Sequence, residues 1–97
     1  MVEVMIKKSD KKDKKYDAVI DGKKTVSFGA TGYSDFTKHK DEERKQRYIA
    51  RHSVNQDWKD YNSAGFWAKH ILWNKPTVEA SVRDTHQRFK NLSIKLK

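Results

Sequence analysis

The sequence predicts an α+β fold, a small antiparallel three-stranded meander packed against about three helices. Three observations carry that prediction. Residues 1–30 hold three short segments of alternating character, the last two joined by Asp21-Gly22. Residues 40–53, 64–74 and 77–90 instead repeat at helical spacing. The ten residues from Ala64 to Trp73 (Ala-Gly-Phe-Trp-Ala-Lys-His-Ile-Leu-Trp) concentrate two of the three tryptophans of a chain that is 36% charged. A single domain over residues 1–97 is expected, because a chain of this length buries roughly 60–65% of its unfolded surface, enough for one core.

Val2 to Lys7 alternate weakly and read as a first strand, and Ser9 to Lys15 is a charge run with nothing to bury, hence a solvated loop. Tyr16–Ile20 and Lys24–Phe28 are the next two strands. Asp21-Gly22 between them suits a type I′ turn, whose two central residues both need positive φ. Gly29 to Asp35 leaves the sheet as a turn. Its two glycines lack the Gly-Lys-Ser/Thr ending of a phosphate-binding loop, since Tyr33 follows Gly32.

Asp41 then N-caps a helix whose first turn is acidic, as the helix dipole favours. Lys40, Arg44, Arg47 and Arg51 fall at i, i+4, i+7 and i+11, a basic stripe on one face. Tyr48, Ile49 and His52 point away from it toward the core, and Glu43 can pair with Arg47. A phosphate-binding face and a plain solvated face both remain open here. Ser53 to Asn62 reads as a connection or short helical turn pinned by Trp58.

Ser63 caps the aromatic helix, and Pro76 marks its stop. Ala64, Trp67, Ala68 and Ile71 form one apolar face, with Phe66, His70 and Trp73 on the next. So much apolar circumference belongs inside a domain, with Trp67 and Trp73 at the centre. The competing reading of these rings is a base-stacking platform, and the core reading is preferred. Thr77 caps a last helix with Val78, Val82, Thr85 and Phe89 inward and Arg83, Gln87 and Lys90 as a second basic stripe. Asn91 to Lys97 is a tail or a further strand.

Net charge is +9, divided as +3 over residues 1–30, +1 over 31–62 and +5 over 63–97. Such a balance favours a polyanionic partner. No window approaches the ~20 apolar residues of a membrane span, and no signal-peptide pattern opens the chain, so no membrane partner is expected. With no cysteine, thiolate zinc sites are excluded, and His39, His52, His70 and His86 contain no i, i+4 pair for a helical zinc site. No serine stands in a nucleophile's setting, and Asp35, Asp41, Glu42 and Glu43 are explained by turn and cap. The expectation is a protein without cofactor, metal or catalytic residues.

The segments Gly32-Tyr33-Ser34-Asp35-Phe36-Thr37-Lys38-His39-Lys40-Asp41, Arg47-Tyr48-Ile49-Ala50-Arg51-His52, Ala64-Gly65-Phe66-Trp67 and Ile71-Leu72-Trp73-Asn74-Lys75-Pro76-Thr77 together resemble a small uncharacterised protein family of tailed bacteriophages and giant DNA viruses. The likeness spans Lys15 to Phe89 and departs at Ser53 to Asp57, where the family is more basic. It implies a viral origin, with the host cell cytoplasm or the virion as location, and no activity. The expected function is nucleic-acid binding through phosphate contacts with little sequence specificity, carried by Lys40, Arg44, Arg47, Arg51, Arg83 and Lys90. The alternative is a virion structural component, a minor capsid or cement protein seated on an acidic capsid surface. A small nuclease is a distant third.

Overall fold

The computed structural model describes residues 1–53 and 59–97. It is α+β. Strands β1 (Val2–Lys8), β2 (Lys14–Ile20) and β3 (Lys24–Ala30) make the antiparallel meander that the alternation predicts. The sheet has a fourth strand, β4 (Leu92–Leu96), and its order is β3-β2-β1-β4. β4 runs parallel to β1, with Val2 opposite Leu92, Val4 opposite Ile94 and Ile6 opposite Leu96, so the sheet is mixed. The segment left undecided between tail and strand is therefore a strand. Its period-two apolar set, Leu92, Ile94 and Leu96, falls on the face that β1 buries with Val4 and Ile6.

The hairpin turns as expected. Asp21 and Gly22 have φ of 51° and 67°, and the Lys23 amide donates to the Ile20 carbonyl at 3.0 Å. The expected solvated loop is shorter than predicted, because β1 extends to Lys8 and β2 begins at Lys14. Lys15 consequently lies in a strand, only 9% exposed.

Among the described residues four α-helices follow, one more than expected. The extra one is α1 (Phe36–His39), a single turn too short to show periodicity in sequence. α2 (Glu42–His52) starts at Asp41, whose Oδ1 accepts the Glu43 and Arg44 amides at 3.1 and 3.4 Å. α3 (Ala64–Trp67) is capped by Ser63, whose hydroxyl accepts the Phe66 amide at 3.2 Å. α4 (Val78–Arg88) is capped by Thr77, which accepts the Ala80 amide at 3.1 Å. All three caps stand where the sequence places them. Trp58, the expected pin of the connection between α2 and α3, lies outside the described residues.

The aromatic helix departs from an ideal one. Past Trp67 it becomes a π-helical turn over Ala68–Leu72, closed by the Trp73 amide donating to the Ala68 carbonyl at 3.1 Å. A π turn holds one more residue than an α turn, which advances everything after it by roughly 100° about the axis. Phe66, Trp67, Ile71 and Leu72 are buried in the core, with Trp67 fully enclosed, and His70 is buried beside Phe89 and Arg88. Trp73, expected at the centre, is instead carried to the margin of the core, part-buried. Gly29 makes room for this turn. It has φ of 78°, and a Cβ there would stand 2.6 Å from Leu72 Cδ1.

The core lies between the inner face of the sheet (Ile6, Ala18, Phe28, Ile94) and the layer of Phe66, Trp67, Ile71 and Val82. Trp67 donates its Nε1–H to the Tyr61 carbonyl at 2.7 Å, so its one polar atom is satisfied on burial. Among the described residues no helix is long and apolar enough to cross a membrane.

Candidate nucleic-acid interface

α2 is a polar helix with no fully buried residue, and four part-buried side chains hold it down: Lys45, Tyr48, Ile49 and His52, at i, i+3, i+4 and i+7. Tyr48, Ile49 and His52 are the inward residues that the sequence predicts, although they reach the margin of the core and not its interior. Tyr48 stacks on Trp73 with ring centroids 4.2 Å apart and planes at 2°. On Tyr48's other side lies His52, at 4.2 Å and 30°. The His52 Nδ1–H donates to the Tyr48 carbonyl at 3.0 Å, which fixes the imidazole's orientation. Burial pushes the Tyr48 phenol above its ordinary range, so it stays protonated at neutral pH.

Lys45 is the inward residue that sequence reading passed over. Its ammonium donates to the Asn74 carbonyl at 2.7 Å and lies 4.9 Å from the centre of the Phe36 ring. Its long stem spans apolar surface while its charge finds an acceptor and a ring face. The acceptor is itself held in place. Asn74 Nδ2 donates to Asp84 at 2.7 Å, Asp84 pairs with Arg88 at 3.2 Å, and the Lys75 amide donates to the Ser81 hydroxyl at 3.0 Å. The Asn74–Thr77 motif thus couples α2 to α4.

With its underside fixed, α2 turns Arg44, Arg47 and Arg51 outward, all three exposed. They line one side of a cleft of about 540 Å³, together with Tyr48, His52 and Trp73. Tyr33, Ser34 and Asp35 also line it, as do Gly29, Ala68 and Leu72. No acidic side chain lies within ion-pair distance of the three arginines among the described residues, and the expected Glu43–Arg47 pair is not formed. The nearby acid Glu42 accepts a hydrogen bond from Gln46 instead, at 3.0 Å.

The part of the lining from Tyr33 to Asp35 is fixed by a buried ion pair. Lys15 Nζ lies 2.5 Å from Asp35 Oδ2 and 2.5 Å from the Tyr33 carbonyl, with Asp35 only 2% exposed. The other Asp35 oxygen accepts the Thr37 amide at 3.0 Å and the Thr37 hydroxyl, which caps α1. A buried pair persists where hydrogen bonds satisfy what the partners leave over, and these do. The carboxylate is consequently committed to holding the loop from Tyr33 to Asp35. Among the described residues, no three of His, Asp and Glu gather closely enough to hold a metal ion.

Of the six residues predicted to meet phosphates, Arg44, Arg47 and Arg51 come together at the cleft. Lys40 does not line it. Lys40 occupies the left-handed joint between α1 and α2 (φ 54°), and its ammonium donates to the Thr37 carbonyl at 3.2 Å. Arg83 on α4 and Lys90, just before β4, are exposed but are not part of the cleft either. The two basic stripes therefore do not merge into one lining. Lys15, Trp73 and the pairing of His52 with Tyr48 are the contributions that sequence reading missed. Lys15 sits inside a charge run twenty residues from Asp35, where nothing distinguishes it from its neighbours. His52 and Tyr48, by contrast, carried a signal in their i, i+4 spacing.

The site and fold define a small α+β domain with an arginine-lined cleft beneath a polar helix. The chain belongs to a family of unknown function (DUF5754), whose model matches residues 4–52. That match takes in β1 to α2 and stops at His52, so it includes the arginines and the Lys15–Asp35 pair and leaves out Trp73. No curated protein and no solved structure matches the chain.

Proposed function

We propose that this protein binds nucleic acid through its phosphates, with little preference for sequence, and is not an enzyme. The observation that supports this most is the convergence of Arg44, Arg47 and Arg51 on one cleft, with no acidic side chain within ion-pair distance of them among the described residues. Guanidinium groups left unneutralised along a concave wall attract an anion and can grip it bidentately. The net charge of +9 adds long-range attraction for a polyanion. Arginines that meet phosphate oxygens set position and affinity and carry no base information, hence the weak sequence preference. With Lys40, Arg83 and Lys90 off the cleft, three cations carry the contact in this proposal.

The viral kinship suggested by the sequence motifs makes a viral genome or its transcripts the proposed partner. Testing the binding itself needs only labelled oligonucleotides, at ~50 mM salt where phosphate contacts are strong. Wild type should bind, and replacement of Arg44, Arg47 and Arg51 by glutamine should abolish binding without moving the melting temperature. Absence of binding by wild type would end this reading. An acidic capsid surface, and so a virion structural role, would then be the reading to pursue.

A further inference from the structure

We propose that the cleft takes a single strand of nucleic acid, with an unpaired base stacked on His52 and the flanking phosphates held by Arg44, Arg47 and Arg51. This rests on the reading of those arginines as phosphate contacts and adds which form of nucleic acid they serve. The arginines line a cleft of about 540 Å³ that also takes in the loop from Tyr33 to Asp35. A cleft of this volume is of the size that holds a nucleotide-sized unit.

An aromatic column stands beside the arginines. Sites for single strands combine a basic track with rings on which bases stack, and a duplex keeps its base faces covered and gains nothing from such rings. Here Trp73, Tyr48 and His52 are layered, with 4.2 Å between successive ring centroids. Tyr48 has one face against Trp73 and the other against His52, and at the far end Trp73 meets His39 at 5.3 Å. A base therefore extends the column at His52, which lines the cleft and whose ring is oriented by its bond to the Tyr48 carbonyl. From Arg44 to Arg51 the helix rises about 10 Å, which equals about three phosphate-to-phosphate steps at the ~3.4 Å rise of a stacked strand, so three arginines can each meet a phosphate along it.

The test compares three probes at ~50 mM salt: an oligo(dT) of about 12 nucleotides, a duplex of equal length, and thymidine 5′-monophosphate. The expected result is single-strand affinity about tenfold or more above that for the duplex, with the mononucleotide weaker than either. His52→Ala should lower single-strand affinity roughly five- to hundredfold, as loss of one stacking contact does, and leave duplex affinity within about twofold. His52→Phe should restore single-strand binding, because a ring suffices where a charge would not. Duplex bound as tightly as the single strand would overturn this inference while leaving the phosphate reading intact. A mononucleotide bound as tightly as the oligonucleotide would also overturn it, since the site would then serve a small molecule. Binding of none of the three would remove the phosphate reading and this inference together. The comparison of probes uses wild type alone, so it stands even if a His52 variant fails to fold.

Discussion

Replacing Trp67 by alanine should unfold much of what holds this domain together, whereas the same change at Trp73 should not. Trp67 is fully buried, its ring meets Phe66 edge-on at 4.7 Å, and its Nε1–H donates to the Tyr61 carbonyl at 2.7 Å. Truncating a large buried aromatic costs about 3–5 kcal/mol in transfer and cavity terms. For a domain of this size each kcal/mol shifts Tm by about 4–8 °C, so a fall of order 15–30 °C is expected. Trp73 is part-buried and stacked on Tyr48 at the margin of the core, so its loss should cost about 2 kcal/mol or less. Thermal melts followed by far-UV circular dichroism, with urea titrations for the free energies, measure both. Equal losses from the two variants would show that the π turn does not separate a core tryptophan from a cleft tryptophan. A Trp67→Ala protein with the wild-type Tm would refute the core assignment outright.

Three further outcomes follow from the same geometry. Gly22→Val should cost about 1–2 kcal/mol in urea melts, because a β-branched residue must then hold φ of 67° in the hairpin turn; an unchanged midpoint would rule out that turn. Lys15→Met leaves the Asp35 carboxylate buried without its cation and should cost about 2–4 kcal/mol, part of which the double variant with Asp35→Asn should recover; a double-mutant cycle with no coupling would show that the pair does not act as one. At Asp17, burial raises the carboxyl's pKa, but hydrogen bonds from Ser27 and Ser9 and the charges of Lys7 and Lys11 outweigh it, so the group titrates below its ordinary value of 3.8. A folded-state value below the unfolded one stabilises the protein above pH 3.8, and that stability is lost as pH falls through the lowered value. Asp17→Asn should therefore flatten the acid limb of the stability profile, and an unaltered limb would contradict the assignment.

Local chemistry made much of the fold legible. Asp41, Ser63 and Thr77 announce helix starts because an oxygen is needed for orphan amides, and Asp21-Gly22 announces a hairpin because few residues tolerate positive φ. What stayed hidden depends on partners distant in the chain. The alternation of Leu92, Ile94 and Leu96 allows a strand but cannot say that β1, some ninety residues earlier, lies beside it in parallel. The π turn leaves no periodic trace, since a single added residue in five looks like noise in an apolar run, yet it decides that Trp73 serves the cleft margin. Lys45 reads as a solvated charge because residue type does not reveal where a long stem lies down. At the candidate site the arginine spacing was legible. That Arg83 and Lys90 sit apart was not, because helical phase within one helix says nothing about how two helices are placed.

If three arginines on α2 meet phosphates, a salt titration of a labelled single strand reads those contacts. Neutralising Z phosphates on a single strand gives a slope of log K against log salt of about −0.7Z, hence about −2 for three contacts. That slope is expected for wild type and for a variant with Arg83 and Lys90 replaced by glutamine. Near-complete loss of binding is expected when Arg44, Arg47 and Arg51 are replaced. Wild-type affinity and slope in a variant lacking those three arginines would show that other residues meet the phosphates.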